Sequence, residues 1–250
     1  MKKFIAEQDL NAETRFVPEV NICSNVQEQW EEKIAIIGGG PAGLSCAYYL
    51  ATMGYKPTVF EKSEEPGGML RYGIPSYKLD KDVIKAEIDI MREIGVEIRT
   101  GVEVGKDITI EQLREQGYKG FYVAIGCQGG KLPGISGETL PGTITAIDFL
   151  HDANCGKVKV TGNIVVVGGG NVAIDAARVA KRSGATSVTM LSLETEDIMP
   201  ASLEERKEAR EDGVVINPGW GPKEVLGDGK VSGIVFKKCT SVYDAGHRFN

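Results

Sequence analysis

Two glycine-rich segments of the same design constrain this chain more than any other feature of its sequence. One spans residues 33–51 (KIAIIGGGPAGLSCAYYLA) and the other spans residues 163–180 (NIVVVGGGNVAIDAARVA), so that their first glycines lie 130 residues apart. Each begins with a short apolar run typical of a buried parallel strand and continues through glycines into a segment with helical periodicity. This order opens a dinucleotide-binding unit. The repetition therefore predicts an α/β fold with two Rossmann-like dinucleotide-binding domains.

Length and charge agree with two globular domains that fold in water. The chain has 250 residues, of which 42% are hydrophobic and 26% are charged, and both fractions are ordinary. A formal net charge of -6 argues against nucleic acid or an anionic membrane surface as the main partner. The N-terminus lacks the apolar run of a secretory signal, and no apolar stretch is long enough to span a bilayer. We therefore predict a cytoplasmic protein with no membrane insertion and no nucleic-acid partner.

The first fingerprint is Gly38-x-Gly40-x-x-Gly43. Gly38 permits the turn out of the strand, Gly40 leaves room for a pyrophosphate, and Gly43 lets the helix, whose free N–H groups attract phosphate, pack closely. Glu61 ends the next strand, where a carboxylate accepts hydrogen bonds from an adenosine ribose; the alternative is a surface glutamate beside a glycine-rich turn. The residues predicted to bind the nucleotide here are Gly38, Gly40, Pro41, Ala42, Gly43, Glu61 and Lys62.

A further glycine-rich stretch indicates that the first ligand is FAD. Residues 66–75 (PGGMLRYGIP) form a long loop that an NAD domain does not need, whereas a flavin requires extra backbone around it. With this segment the sequence resembles the small-subunit family of glutamate synthase, which includes the flavin half of dihydropyrimidine dehydrogenase and the NADH-dependent ferredoxin–NADP oxidoreductase subunit. The resemblance covers nearly everything from residue 33 onward. It is also carried by Lys78, GVEI (95–98), VGKDIT (104–109), AIG (124–126), ISGE (135–138), AIDFL (146–150) and Met199-Pro200-Ala201.

The resemblance implies one cofactor for each fingerprint. FAD would bind the first site, and the residues that would line it are Glu61, Gly68, Met69, Lys78, Val104 and Gly126. The nicotinamide nucleotide would bind the second fingerprint, whose residues are Gly168, Gly170, Asn171, Val172 and Ala173. In this family the nicotinamide domain is inserted into the FAD domain. We therefore expect an N-terminal arm or linker (1–32), the N-terminal part of an FAD-binding domain (33–150) and an NAD(P)-binding domain incomplete at its C-terminus (151–250).

The resemblance also implies that the chain is not a complete flavoenzyme. In the family the chain returns from the nicotinamide domain to finish the flavin site. This sequence stops at Asn250, shortly after a hairpin predicted at Gly227-Asp228-Gly229. The C-terminal part of the FAD domain, including the segment that meets the flavin ribityl phosphates, has no counterpart. We expect either a fragment or a second polypeptide that completes the FAD domain.

The chemistry implied is hydride transfer from nicotinamide to flavin, in which the protein supplies position and electrostatics. We therefore predict no catalytic side chain and no metal site, since neither His151 nor His247 belongs to a ligand pattern. The cysteine pair of the disulfide reductases is missing. The single cysteines are predicted to be buried hydrophobic residues, and they are Cys23, Cys46, Cys127, Cys155 and Cys239.

The electron partner is expected to be another protein. The family's N-terminal module holds cysteines for two iron–sulfur clusters, but residues 1–32 contain only Cys23. Electrons would therefore pass between NAD(P)H and an iron–sulfur protein or subunit through FAD, within a multi-subunit enzyme. The alternative is a non-catalytic nucleotide-binding or assembly subunit with the same fold.

The strand after the second fingerprint favours NADH over NADPH. In the family this strand runs into two basic residues where the 2′-phosphate of NADPH would lie, and here Leu193 and Glu194 replace them. Glu194 would accept hydrogen bonds from a ribose 2′-hydroxyl and repel a phosphate. The alternative is a solvated Glu194, with Arg182 or Lys181 reaching the phosphate. Ala173, in place of a third glycine, favours NADPH, whereas the acidic residue favours NADH. We expect NAD(H).

Overall fold

The computed structural model describes residues 2–19 and 30–244. Its contacts divide the chain into two compact units, Met1–Cys127 and Gln128–Asn250. The first unit contains α1 (Lys2–Leu10), β1 (Lys33–Ile37), α2 (Pro41–Thr52), β2 (Lys56–Glu61), α3 (Met69–Tyr72), α4 (Lys81–Glu93), β3 (Glu97–Thr100), α5 (Ile110–Glu115) and β4 (Tyr118–Val123). The second contains α6 (Ala146–Asn154), β5 (Asn163–Val167), α7 (Asn171–Arg182), β6 (Ser187–Ser192), α8 (Leu203–Glu211), β7 (Val214–Pro218), β8 (Trp220–Gly227) and β9 (Val231–Lys238).

The first unit is built on a parallel sheet with the strand order β3-β2-β1-β4. The side chains of β1 alternate between the two faces of this sheet. Ile36 packs with Ala47 of α2 on one face. Ala35 packs with Phe60 and with Leu113 of α5 on the other face. Both faces of the central strand are therefore buried, which explains why its sequence is apolar throughout.

The turn between β1 and α2 brings the helix very close to the strand. Gly38 has φ of +107°, and its N–H donates to the carbonyl of Phe60 at 2.8 Å. A Cβ on Gly43 would overlap the carbonyl oxygen of Gly38 and would lie 3.2 Å from Cγ2 of Ile36. A Cβ on Gly40 would have only the Cα of another glycine near it, at 3.9 Å. Packing of α2 on β1 therefore requires glycine at position 43 but not at position 40.

The second unit repeats this design on a smaller parallel sheet with the order β5-β6-β7. One face of the sheet packs against α7 and α8 through a core that includes Ile174, Ala177, Val188 and Met190. Strands β8 and β9 form an antiparallel pair joined at residues 228–230, which confirms the predicted hairpin. None of the helices within the described ranges combines the length and apolar character needed to cross a membrane.

Four helices were not predicted by periodicity: α1, which lies in the segment expected to be an arm or linker, and the three short helices α3, α5 and α6. α5 begins with a capping box in which Thr109 and Gln112 each bond the other's backbone. α6 begins at the N-cap Thr145 and places Phe149 against the core of the second unit. α3 lies within the glycine-rich segment 66–75 and has four residues. Helices of one or two turns show too few apolar repeats for a period to be read from the sequence.

The N-terminal arm is partly packed on the first unit. Arg15 donates to Asp9 at 2.7 Å and to Glu87 of α4 at 2.7 Å. Val17 packs against the core beneath α2. Trp30 stacks on Tyr55 with the ring centroids 5.4 Å apart. These contacts tie a segment that is polar and aperiodic in sequence to the folded unit.

Lys81, the first residue of α4, holds α3 in place. Its Nζ donates to the carbonyl oxygens of Leu70 at 2.9 Å and Ile74 at 2.5 Å. Carbonyl groups at the end of a helix have no partner within that helix, so the ammonium group satisfies them. Burial, and secondly the charge of Arg71, lower the pKa of Lys81 to about 8.

Gly43→Ala should lower the free energy of unfolding by about 1–3 kcal/mol, because the added methyl group forces α2 away from β1. Gly40→Ala in the same turn is the matched control. It should cost about 1 kcal/mol at most, because the space is open and only the poorer preference of alanine for the N-cap position acts. Urea unfolding followed by circular dichroism measures both variants. Equal losses would contradict this account of the turn.

The stability contribution of Lys81 should depend on pH. The folded chain releases this proton at a pKa of about 8, whereas the ordinary value is 10.5. Between these values the unfolded chain binds more protons at Lys81, so its contribution to stability rises with pH. Lys81→Met removes the titration. The stability difference between parent and variant should be constant below about pH 8 and should shift in favour of the parent above it. Urea unfolding across this pH range measures the stability difference between parent and variant. A difference that did not change with pH would contradict the prediction.

Candidate nucleotide-binding sites

Glu61 lies at the end of β2 with only 3% of its surface exposed. Its Oε2 accepts a hydrogen bond from the N–H of Gly39 at 2.7 Å, and its Oε1 accepts one from the N–H of Ser63 at 2.8 Å. A Cβ on Gly39 would lie 3.0 Å from Oε2, so this glycine admits the carboxylate. The fingerprint pattern does not predict this role for Gly39, although the run of three glycines is a signal for it. The carboxylate keeps further lone pairs for a ribose hydroxyl.

Gly40 lies against the glycine-rich segment 66–75. The atom nearest to a Cβ built on Gly40 is the Cα of Gly68, at 3.9 Å. Gly68 has φ of +53°, and a Cβ there would lie 2.8 Å from the Cα of Gly40. The N–H of Gly67 donates to the carbonyl of Gly39 at 2.8 Å. The structure thus brings the segment predicted to hold the flavin directly onto the first fingerprint.

The first turn of α2 is open to an anion. Pro41 is the first residue of this helix, and Gly40 at the N-cap provides no side-chain hydrogen bond. The N–H groups that begin at Ala42 therefore meet no capping side chain, and the helix dipole adds positive potential. This is the environment that a pyrophosphate requires.

The other residues predicted to bind FAD lie around this site in different settings. Lys62 is exposed and directly follows Glu61, and Met69 begins α3. The side chain of Lys78 is exposed, while Val104 packs partly into the core of the first unit. Gly126 follows β4 with φ of +69°. Contact of these five residues with FAD stays a prediction.

The second fingerprint has the same open centre as the first. Gly170 is the N-cap of α7, it provides no side-chain hydrogen bond, and a Cβ built on it would meet nothing within 4 Å. Gly168 has φ of +143°, and a Cβ on it would lie 3.3 Å from the Cβ of Ala173. Alanine is thus accommodated where the first fingerprint requires glycine. Val172, in the first turn, is 51% exposed.

Glu194 occupies the place in the second unit that Glu61 occupies in the first. Its Oε2 lies so close to Gly169 that a Cβ on that glycine would overlap it. The two carboxylates reach these places from different backbone positions. Val167 aligns with Leu191 as Ile37 aligns with Phe60, so the residue that follows in register is Ser192, two positions before Glu194.

The segment that carries Glu194 is anchored to the fingerprint at several points. The carbonyl of Glu194 accepts hydrogen bonds from the N–H of Gly219 at 2.8 Å and from Oγ of Ser192 at 3.1 Å. The N–H of Ala201 donates to the carbonyl of Gly169 at 2.9 Å. Oδ1 of Asn171 accepts a hydrogen bond from the N–H of Ser202 at 3.1 Å. Asn171 therefore joins the fingerprint helix to this loop, and its contact with a nucleotide stays a prediction.

The Met-Pro-Ala segment ends the same loop. Met199 and Ala201 are buried, with 6% and 2% of their surfaces exposed, and both belong to the core of the second unit. Pro200 precedes the N-cap Ser202, so it lies outside α8 rather than at its first position. The segment thus anchors the end of the loop in this core, directly before α8.

The prediction that the cysteines are buried was wrong for Cys127, which is exposed after the end of β4. Cys155 and Cys239 are half-buried, and so is Cys46 of α2, where burial raises the pKa of its thiol. A single small side chain at an element's end carries no pattern from which burial can be read. Cys23 and His247 lie outside the described residues. Within residues 2–19 and 30–244, no cluster of three or more histidine, cysteine or acidic side chains could hold a metal ion.

A family match covers both fingerprints. Residues 32–247 match the pyridine nucleotide-disulphide oxidoreductase family. The chain is 42% identical to the glutamate synthase [NADPH] small chain of Halomonas elongata, over 82% of this chain and 45% of that protein. It is 39% identical to the NADP(+)-dependent formate dehydrogenase subunit beta of Moorella thermoacetica, over 87% of this chain and 32% of that protein. These relatives confirm the resemblance to the glutamate synthase small subunit.

Another relative has a name that mentions NAD. The NAD-dependent dihydropyrimidine dehydrogenase subunit PreT of Escherichia coli is 39% identical over 78% of this chain and 47% of its own length. The chain therefore spans about half the length, or less, of the curated relatives it matches.

Solved structures show the same fold at low sequence identity. FprA of Mycobacterium tuberculosis in complex with NADPH superposes with a TM-score of 0.71 and 20% identity, over 88% of this chain and 66% of that one. Thioredoxin reductase of Lactococcus lactis gives a TM-score of 0.62 and 22% identity, over 84% of this chain and 72% of that one. The predicted α/β fold with Rossmann-like domains is thereby confirmed. Because the family match extends from the strand before the first fingerprint to beyond the second, the chain belongs to the pyridine nucleotide-disulphide oxidoreductase family, which binds FAD and NAD(P)H.

Proposed function

We propose that the chain is part of a flavin-dependent oxidoreductase in which the first site binds FAD and the second binds NADH. The observation that carries this proposal is a geometry that both units share. In each, a carboxylate lies over the second of three consecutive glycines, Gly39 or Gly169, and the third glycine has open space around it. Glu61 and Gly40 form this arrangement in one unit, and Glu194 and Gly170 form it in the other. The segment 66–75, which lies on Gly40, distinguishes the FAD site from the nicotinamide site.

The residues of the first site fit the FAD that the family implies. A side chain at Gly40 or Gly68 would fill the space between the fingerprint and the segment 66–75. The first turn of α2 offers N–H groups to a pyrophosphate, and Glu61 offers a carboxylate to the ribose. When bound, FAD supplies the ability to accept a hydride and to release electrons one at a time. The described side chains bind and orient the cofactors, and none is needed as an acid, base or nucleophile.

We further propose that the electron partner is an iron–sulfur protein or subunit, and that the chain works within a multi-subunit enzyme. The relatives are named as a small chain, a subunit beta and a subunit. The resemblance to the glutamate synthase family supports iron–sulfur chemistry in the partner.

The function is tested by flavin absorbance in the assembled enzyme. We expect flavin bands that bleach when NADH is added without oxygen, because hydride transfer reduces the flavin. A non-catalytic assembly subunit would bind the nucleotides without bleaching. Flavin bands that persist in the presence of excess NADH and NADPH would overturn the proposed activity.

Substitution of the open glycines should separate the two cofactors. Gly40→Val should reduce the flavin content by more than about tenfold, because the side chain occupies the space of the pyrophosphate. Gly170→Val should retain flavin but lose nicotinamide nucleotide binding. Each variant is the other's control, since a Cβ at either position would meet no atom closer than 3.9 Å. Flavin released by heating and NADH fluorescence titration provide the measurements. Full flavin content in Gly40→Val would place the site elsewhere.

Nucleotide choice is assigned to Glu194. A carboxylate over Gly169 can accept hydrogen bonds from a ribose 2′-hydroxyl, and it opposes a 2′-phosphate with about 4 kcal/mol at 4 Å before salt screening. Glu194→Arg should therefore lower kcat/KM for NADH and raise it for NADPH, reversing the preference. Glu224→Arg, which changes the same charge on β8, should leave the ratio unchanged. Steady-state kinetics with both nucleotides in the assembled enzyme test this. Equal use of the two nucleotides by the parent would contradict the assignment.

A further inference from the structure

Two arginines of α8 hold the loop that carries Glu194. Nη1 of Arg206 donates to the carbonyl oxygen of Glu196 and, at 3.2 Å, to its Oε1. Nη2 of Arg210 donates to both carboxylate oxygens of Glu196, at 2.7 and 2.9 Å. One carboxylate thus binds two guanidinium groups. We name these three residues, Glu196, Arg206 and Arg210, the loop clamp.

Arg206 is the buried member of the loop clamp. Its side chain is 5% exposed, and its Nε is buried without a hydrogen-bond partner. A buried cation is costly unless it is paired, and removal of its partner leaves that cost uncompensated. Glu196 is the partner of Arg206 in an ion pair. The side chain of Arg210 is 45% exposed, so it can move to another anion if Glu196 no longer binds it.

The loop clamp lies next to the ribose end of the predicted nucleotide site. Glu196 is two residues from Glu194, which limits the distance between their Cα atoms to about 7 Å. The N–H of Ala201, at the other end of the loop, donates to the carbonyl of Gly169. The loop is therefore fixed to α8 at Glu196 and to the fingerprint at Ala201, and both anchors follow Glu194 in the chain.

The cations of α7 are engaged elsewhere. Arg182 donates to Asp212 at 2.9 Å, and Nζ of Lys181 donates to the carbonyl of Thr186 at 3.1 Å. Arg206 and Arg210 of the loop clamp bind the Glu194 loop itself. Guanidinium groups bind phosphate in bidentate geometry, so their pairing with Glu196 competes with any phosphate that approaches.

We propose that the loop clamp determines the nucleotide preference of the second site. It holds Glu194 over Gly169, where the carboxylate can accept a hydrogen bond from a ribose 2′-hydroxyl. It also keeps Arg206 and Arg210 bound to Glu196, so that neither arginine is available to bind a 2′-phosphate. This inference rests on the proposed function, because it takes the second site to be the nicotinamide-nucleotide site. Glu196, Arg206 and Arg210 are positioning residues here, since they act through the loop.

Glu196→Gln tests the proposal. We expect the ratio of the Kd for NADPH to the Kd for NADH to fall by about tenfold, because the variant removes a repelling charge and frees Arg210. The matched control is Asp197→Asn, which removes the same charge from the same loop without freeing an arginine and should change the ratio by less than about threefold. Adding Arg210→Gln to Glu196→Gln should return the ratio towards the parent value. NADH and NADPH fluorescence titrations of the full chain in its assembled enzyme provide both constants.

A second variant covers the case in which Glu196→Gln does not fold. Glu196→Gln with Arg206→Leu removes the buried cation together with its partner and still frees Arg210, so a shift towards NADPH is expected there too. An unchanged ratio in a folded variant that still binds nucleotide would overturn the loop clamp but not the proposed function. An equal shift in Asp197→Asn would also overturn it, because net loop charge would then suffice. If the parent bound neither nucleotide, the proposed function would fail and this inference with it.

Discussion

The close packing of the first fingerprint helix on its strand is the constraint on which the rest of the first unit depends. Gly43 lets α2 approach so closely that any side chain would overlap the carbonyl of Gly38. This approach directs the uncapped N-terminus of α2 towards the carboxyl ends of β1 and β2, where Glu61 lies. The positive end of the helix and the buried carboxylate are thereby brought to one place, which is what an adenine dinucleotide requires.

The two units build the same arrangement, a fingerprint helix packed on its strand and a carboxylate over a glycine, from different residues. The helix of the second unit carries Ala173 instead of glycine, and the methyl group fits at 3.3 Å from the position of a Cβ on Gly168. Its carboxylate comes from Glu194, two positions beyond the register of Glu61, and a buried Ser192 takes the place at the strand end. A longer loop therefore carries the carboxylate back over Gly169. Such a loop needs its own anchors, which Gly219, Asn171 and the loop clamp provide.

Much of this architecture could be predicted from local patterns. The strand, glycine turn and helix predicted in residues 33–51 are β1 and α2, and the hairpin predicted at Gly227-Asp228-Gly229 joins β8 and β9, because apolar periods and glycine turns are local signals. Helix α2 begins at Pro41, directly after the glycines, since proline at a first position costs no hydrogen bond. Burial of Cys127 was predicted wrongly because exposure at the end of a strand depends on the segments that surround it.

The sequence by itself determined the two fingerprints, the acidic residues that follow them and the glycine-rich segment that is predicted to distinguish the FAD site from the nicotinamide-nucleotide site. These features depend on backbone conformation and on spacing along the chain, which glycine and alternating apolar residues specify locally. Only the tertiary structure decided which glycine admits each carboxylate, how Lys81 supports α3, and how Arg206 and Arg210 bind Glu196. These are contacts between separate segments of the chain, and no local period or spacing contains the distances that create them.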